Sequence, residues 1–191
     1  MSSLAILICT IPERFEKLKR LKNILEPQVQ RFKEQVFISI NDQGQTPTGT
    51  KRNLLLEQTQ SDYFSFIDDD DMVSAFYVDE IVKAMTHNPD VITFNGWYTE
   101  YGSNRRNWEI RLGNDYVERD GMYYRWPNHL AVMKRDKVRH IKFPDIWQQE
   151  DFKWSEQIAK RKLLKTEVHI DSFLYHYDCN PVKNGRPTRV R

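Results

Sequence analysis

Residues 62–71 read Asp62-Tyr63-Phe64-Ser65-Phe66-Ile67-Asp68-Asp69-Asp70-Asp71. A short apolar run, rich in aromatic side chains, stops abruptly at four carboxylates. Residues 63–67 are expected to form a buried strand that delivers the aspartates to its carboxyl end. Adjacent like charges repel, and each disfavours ionisation of its neighbour. The run becomes favourable when a divalent cation sits among the four. Hard oxygen ligands suit Mg2+ or Mn2+, which also bridge substrate phosphates. The plainer reading is that Asp71 or Ser74 caps the helix that follows.

Upstream, residues 4–10 form a continuous aliphatic run, as in a parallel strand covered on both faces. Pro12 opens a helical stretch over 13–25, with Phe15, Leu18, Leu21, Ile24 and Leu25 near helical spacing. A second strand over 36–40 ends in Asn41-Asp42-Gln43-Gly44. A turn-prone loop over 46–49 precedes a helix over 51–60. After the aspartates come a helix over 75–86 and a strand over 91–94. This alternation predicts a right-handed, mostly parallel α/β sheet flanked by helices. Ligands of such sheets sit beyond the carboxyl ends of the strands. Asp42 and the four aspartates fall there.

From Trp97 the pattern changes. Trp97, Tyr98, Tyr101, Trp108, Tyr116, Tyr123, Tyr124 and Trp126 are spread among Gly, Asn and Arg. Short antiparallel strands and loops are expected, then a strand over 129–133, a helix over 154–160 and a last strand over 168–177. No repeat or linker divides the 191 residues, which suit one domain.

Hydrophobic content of 39% and charged content of 29% describe a folded globular chain, not a disordered one. A net charge of +2 names no partner. Arg105, Arg106 and Arg111 form one basic group. Lys183, Arg186, Arg189 and Arg191 form a tail, read as solvated, with a phosphate-rich partner as the alternative. Cys9 and Cys179 are far apart and lack metal-ligand spacing, which fits a reducing compartment and a cytoplasmic setting. The apolar run over 4–11 is too short to cross a membrane and has no basic segment before it, so no membrane span is expected.

The stretch Thr48-Gly49-Thr50-Lys51-Arg52-Asn53, followed by residues 62–71, resembles the Arg-Asn segment, strand and Asp-x-Asp motif of glycosyltransferase family 2. The resemblance covers roughly the first half in order and extends to Glu150-Asp151, similar to that family's later acidic pair. It implies a single GT-A, Rossmann-like domain over 1–191, with a nucleotide-binding half over 1–96 and an acceptor-binding half over 97–191. By that resemblance Thr10, Pro12 and Arg14 border the nucleotide, and Asp42 accepts hydrogen bonds from a uracil-like base. Lys51 or Arg52 lies near the nucleotide or its phosphates. Asp68 and Asp70 contact ribose and metal (Mn2+ or Mg2+), with Asp69 beside them and Asp71 as a helper. Asp151, with Glu150 as its alternate, is the base that deprotonates the acceptor hydroxyl. His176 is a candidate third metal ligand or a packed side chain.

The activity so implied is inverting transfer from a nucleotide-diphosphate sugar, a UDP-sugar favoured. The acceptor is a glycan or small molecule, with a hydroxylated base in DNA as a variant. His129 lies where this fold places acceptor loops, and a sugar contact or a structural role is open to it. The aromatic segment reads as a cap over the sheet, with one or two rings facing the cleft. A nucleotidyltransferase would share the sheet, but no Gly-rich phosphate loop with an activating lysine follows the first strand. A Ca2+-binding module is disfavoured because the run lacks the spacing and glycine of an EF-hand loop.

Overall fold

The computed structural model describes residues 1–100 and 102–179. The basic tail and the side chain of Cys179 lie outside the described part. Strand β1 (Leu4–Cys9) is buried over nearly its whole length and pairs in parallel with β2 (Val36–Asn41) and β3 (Tyr63–Phe66) on either side. The register sets Cys9 opposite Asn41 and Leu7 opposite Phe66, so all three strands finish at one edge.

After β1, Pro12 starts a single 3-10 turn (Pro12–Arg14), where its missing N–H costs nothing. Helix α1 (Phe15–Arg31) then continues well past the expected end at 25, through Pro27, because Gln28 joins Leu18, Leu21 and Leu25 on the buried face. Helix α2 (Thr48–Gln58) begins three residues earlier than expected, directly after Pro47. Gly49 is required there: a Cβ would stand 1.9 Å from the carbonyl oxygen of Pro144.

The chain continues through β4 (Met72–Val73), α3 (Tyr77–Met85), β5 (Val91–Glu100), β6 (Ser103–Ile110), β7 (Val117–Arg119) and β8 (Met122–Arg125). It ends with β9 (Val132–Lys134), α4 (Arg135–Val138), α5 (Glu150–Lys160) and β10 (Glu167–Cys179). Strand β9 inserts antiparallel between β3 and β5. Strand β5 is ten residues long, not four, because β10 runs parallel to it from end to end and β6 pairs with its second part. Gly96 allows this, since a Cβ would meet the Trp108 ring at 2.0 Å. The result is an α/β fold with a mostly parallel central sheet, helices around it and antiparallel additions in the second half.

Aromatic packing fixes α5. Trp154 is fully buried, stacks on Phe143 with ring centroids 4.3 Å apart, and meets Phe64 edge-on at 6.3 Å. Its indole N–H donates to the Ile141 carbonyl at 3.0 Å. Through these rings the start of α5 is set against the end of β3.

Candidate active site

The four aspartates meet four different surroundings. Asp71 is buried, and its Oδ2 accepts from the Tyr175 hydroxyl at 2.6 Å, while its Oδ1 has no hydrogen-bond partner. Burial, then the charges of Asp68 and Asp70, push this carboxyl well above the usual range. Asp71 is therefore no helix cap. Ser74 comes nearer that role, its hydroxyl accepting from the Phe76 N–H at 3.2 Å.

Asp69 is also buried, accepting from the Thr10 hydroxyl and the Arg14 guanidinium, both at 2.7 Å. Burial raises its carboxyl pKa in spite of both donors. Asp70 Oδ2 lies 3.5 Å from Arg14 Nη1 and from Lys17 Nζ, and its backbone oxygen accepts from Arg20 at 3.2 Å. Burial would lower the Arg14 pKa, but Asp70 and Asp69 together raise it. The first turns of α1 thus supply cations to the loop after β3. Much of the repulsion expected within the acidic run is compensated from inside the protein.

Asp68 has a side chain 35% exposed. Its Oδ1 accepts from Arg52 Nη2 at 2.9 Å. Arg52 is only 3% exposed, with its guanidinium between the rings of Phe66 and Phe143 (5.3 and 5.6 Å). It also reaches Glu150 Oε1 at 3.5 Å, so it ties the acidic loop to the start of α5. Lys51, equally buried, donates to the Thr10 carbonyl at 2.8 Å, and burial lowers its pKa. Both cations were expected near a nucleotide. Lys51 braces the backbone at Thr10 and Arg52 braces the Asp68 carboxylate, both at the edge where β1 and β3 end.

Helix α5 is preceded by Gln149, a non-glycine residue in the left-handed region (φ 64°), and opens with Glu150 and Asp151 in its first turn. Glu150 is buried on Arg52, and burial raises its carboxyl pKa against the pull of that arginine. Asp151 has a side chain 28% exposed, with Oδ2 3.4 Å from His129 Nδ1. His129 Nε2 lies 3.6 Å from Asp68 Oδ2. One imidazole therefore stands between the carboxylate of β3 and that of α5. The separation of Asp68 and Asp151 along the chain hides this relation in the sequence.

Asp42 is exposed just past β2, at the same edge, where the Thr10 N–H donates to the carbonyl of the preceding Asn41 at 2.9 Å. His176 pairs with Met72 of β4, the residue that follows Asp71. Its ring stacks on Trp97 at 5.2 Å and its Nε2 bonds the Thr99 hydroxyl at 2.7 Å. No group of three or more His, Cys, Asp or Glu is arranged to hold a metal among the described residues. Mg2+ needs only one or two protein carboxylates when substrate phosphates supply the rest. Asp68 and Asp70 fit that partial kind of site.

Lys17, Arg20 and Tyr175 were not foreseen. The first two look like ordinary helix-surface cations, and Tyr175 like a strand aromatic. Beside Asp151, the rings of Tyr116, Trp126 and Phe152 form a cluster with centroids 4.8–5.6 Å apart. Arg125 lies 4.1 Å over Tyr116. No helix among the described residues is long and apolar enough to cross a membrane.

The glycosyl transferase family 2 model matches residues 18–172. No curated protein sequence matches significantly. Among solved structures, S. aureus TarS 1–349 in complex with UDP-GlcNAc is similar, with a TM-score of 0.64, 12% identity and 93% of this chain covered. TarS 1–349 in complex with UDP gives 0.60, 13% and 94%. A further S. aureus TarS structure gives 0.59, 12% and 94%. The chain spans 59%, 61% and 37% of those three chains, respectively. At such identity the likeness shows the fold. Matched by the family model over most of its length, and folded as those structures are, the chain belongs to glycosyl transferase family 2.

Proposed function

We propose that this chain is a glycosyltransferase that moves a sugar from a nucleotide-diphosphate sugar, a UDP-sugar favoured, to an acceptor hydroxyl with inversion. The observation that carries the reading is one shared edge. Thr10, Asp42 and the four aspartates gather at the ends of β1, β2 and β3, and Asp151 faces Asp68 across His129. The similar TarS structures bound to UDP and to UDP-GlcNAc support it.

In this reading Asp42 receives the base, Thr10, Pro12 and Arg14 border the nucleotide, and Asp68 and Asp70 hold Mg2+ or Mn2+. When bound, the metal neutralises the diphosphate leaving group. Arg14 and Lys17 hold Asp70 in place from the α1 side. Asp151, the more exposed of the acidic pair, takes the proton of the acceptor hydroxyl. Attack then comes from the face opposite the leaving group and inverts the anomeric carbon. Glu150 serves Arg52 instead. The division into a nucleotide half over 1–96 and an acceptor half over 97–191 follows the same line, with Tyr116, Trp126 and Phe152 as a stacking surface for a glycan or small-molecule acceptor. The composition supports a cytoplasmic setting.

Calorimetric titration with UDP tests the reading. Tight binding is expected only with Mn2+ or Mg2+, and Asp70→Ala is expected to remove the metal-dependent part. Binding of equal strength without metal would count against it. Asp151→Asn should lower kcat by about 10²–10⁴-fold while leaving donor affinity within about twofold.

A further inference from the structure

We propose that His129 is a positioning residue that holds the base Asp151 in register with Asp68, the carboxylate on the donor side. The inference rests on the assignment of Asp151 as base. It goes beyond that assignment by naming what aims the base.

The backbone of His129 is anchored to the strand that carries the aspartates. Its carbonyl accepts from the Phe66 N–H at 3.1 Å, and the Leu130 carbonyl accepts from the Ser65 hydroxyl at 3.1 Å. Asn128 folds the turn, its side chain accepting from the Leu130 N–H at 3.1 Å. The imidazole therefore has a fixed origin, two residues from the start of the acidic run.

The ring is 5% exposed, yet neither nitrogen completes a hydrogen bond. A buried, unpaired polar group is a cost that native structures seldom keep without a use. Here the missing partners are in view. Asp151 Oδ2 lies 3.4 Å from Nδ1 and Asp68 Oδ2 lies 3.6 Å from Nε2. Both are a few tenths of an ångström beyond good hydrogen-bond length. Catalytic hydrogen bonds are often long in the absence of substrate and tighten when it binds.

Arg52 keeps the arrangement from drifting. It grips Asp68 Oδ1 and reaches Glu150, the residue before Asp151, while two aromatic rings hold its guanidinium. The chain Arg52, Asp68, His129, Asp151 thus returns to Arg52 through Glu150. Within this loop His129 is the group that touches both the donor-side carboxylate and the base. A substrate that draws Asp68 inward brings the imidazole with it, and the imidazole brings Asp151.

Two readouts decide the matter. The first needs no turnover. In protein labelled with [15N]histidine, the His129 ring resonances, assigned by their loss in His129→Gln, are expected to shift in Asp151→Asn and again in Asp68→Asn. Resonances unmoved by either change would overturn the proposal. The second is kinetic. His129→Ala is expected to lower kcat by about 10–100-fold, the range typical of residues that orient a reacting group. KM for the donor should stay near wild type, and His129→Gln should recover part of the loss. In an Asp151→Asn background the same His129→Ala change should cost less than about twofold, since its effect passes through Asp151. An undiminished loss in that background would overturn the proposal, as would wild-type turnover in His129→Ala. Wild-type protein that transfers no sugar would instead sink the reading of the site, and the spectra would still decide whether the imidazole joins the two carboxylates.

Discussion

Asp71 and Asp90 are both buried carboxylates, yet their neighbours drive them in opposite directions. Asp90 accepts from the backbone N–H groups of Lys165 (2.8 Å) and Thr166 (3.2 Å) and pairs with Lys137 at 3.2 Å. Burial would raise its pKa, but these donors outweigh burial and lower it. Its stabilisation is therefore present above the ordinary carboxylate pKa and is lost as pH falls through the lowered folded value. Asp71 is raised by burial, so the folded protein keeps a proton that the unfolded chain releases. Stability from this group falls as pH rises from the ordinary value towards the folded one. Asp90→Asn is expected to cost roughly 1.5–3 kcal/mol at neutral pH and to flatten the acid limb of the stability curve. Asp71→Asn, a neutral side chain that still accepts from Tyr175, should be as stable as wild type or more so at pH 7.5. Urea midpoints at pH 4 and pH 7.5 check both. None of this is legible in Asp68-Asp69-Asp70-Asp71 as letters. The sequence places four carboxylates at a strand end, but their separate fates depend on Thr10, Arg14, Arg52 and Tyr175, which only the fold brings near.

Among the elements, the first half was legible because each strand is an aliphatic or aromatic run and each break carries Pro, Gly or Asp. The start of α2 is hidden in the sequence because Thr48 and Gly49 look like turn residues. Gly49 is there for proximity to the Pro144 carbonyl, a constraint set by residues almost a hundred positions away. Gly49→Ala is expected to force α2 off the loop before α5 and to cost about 1–3 kcal/mol, as overpacking does. Gly44→Ala is the control, since its added Cβ would meet Pro12 at an ordinary 3.7 Å. Its change should stay within about 0.5 kcal/mol. Equal urea midpoints for the two variants would refute the close-approach argument. The length of β5 is hidden in the sequence for a related reason. Asn95, Gly96 and Trp97 break the apolar run, and only pairing with β10 and β6 keeps the strand going.

Across the whole molecule, the aromatic second half and the nucleotide-type first half share one sheet, since β9 pairs with β3 on one side and with β5 on the other. All five tryptophans (Trp97, Trp108, Trp126, Trp147 and Trp154) lie in the second half, so their fluorescence reports chiefly on that half, with Trp154 also sensing Phe64 of β3. If the sheet unfolds as a unit, the fluorescence midpoint and the far-UV circular dichroism midpoint should agree within about 2 °C, as two-state unfolding requires. A clear gap would mean the halves melt separately. The ten-residue strand β5 also bears on attempts to alter what the enzyme accepts. A chimera cut at residue 96 would sever that strand in mid-ladder, leaving each parent with half of a pairing partner for β10. A workable splice falls before Val91, so any transplanted recognition surface has to travel with the beam on which it was built.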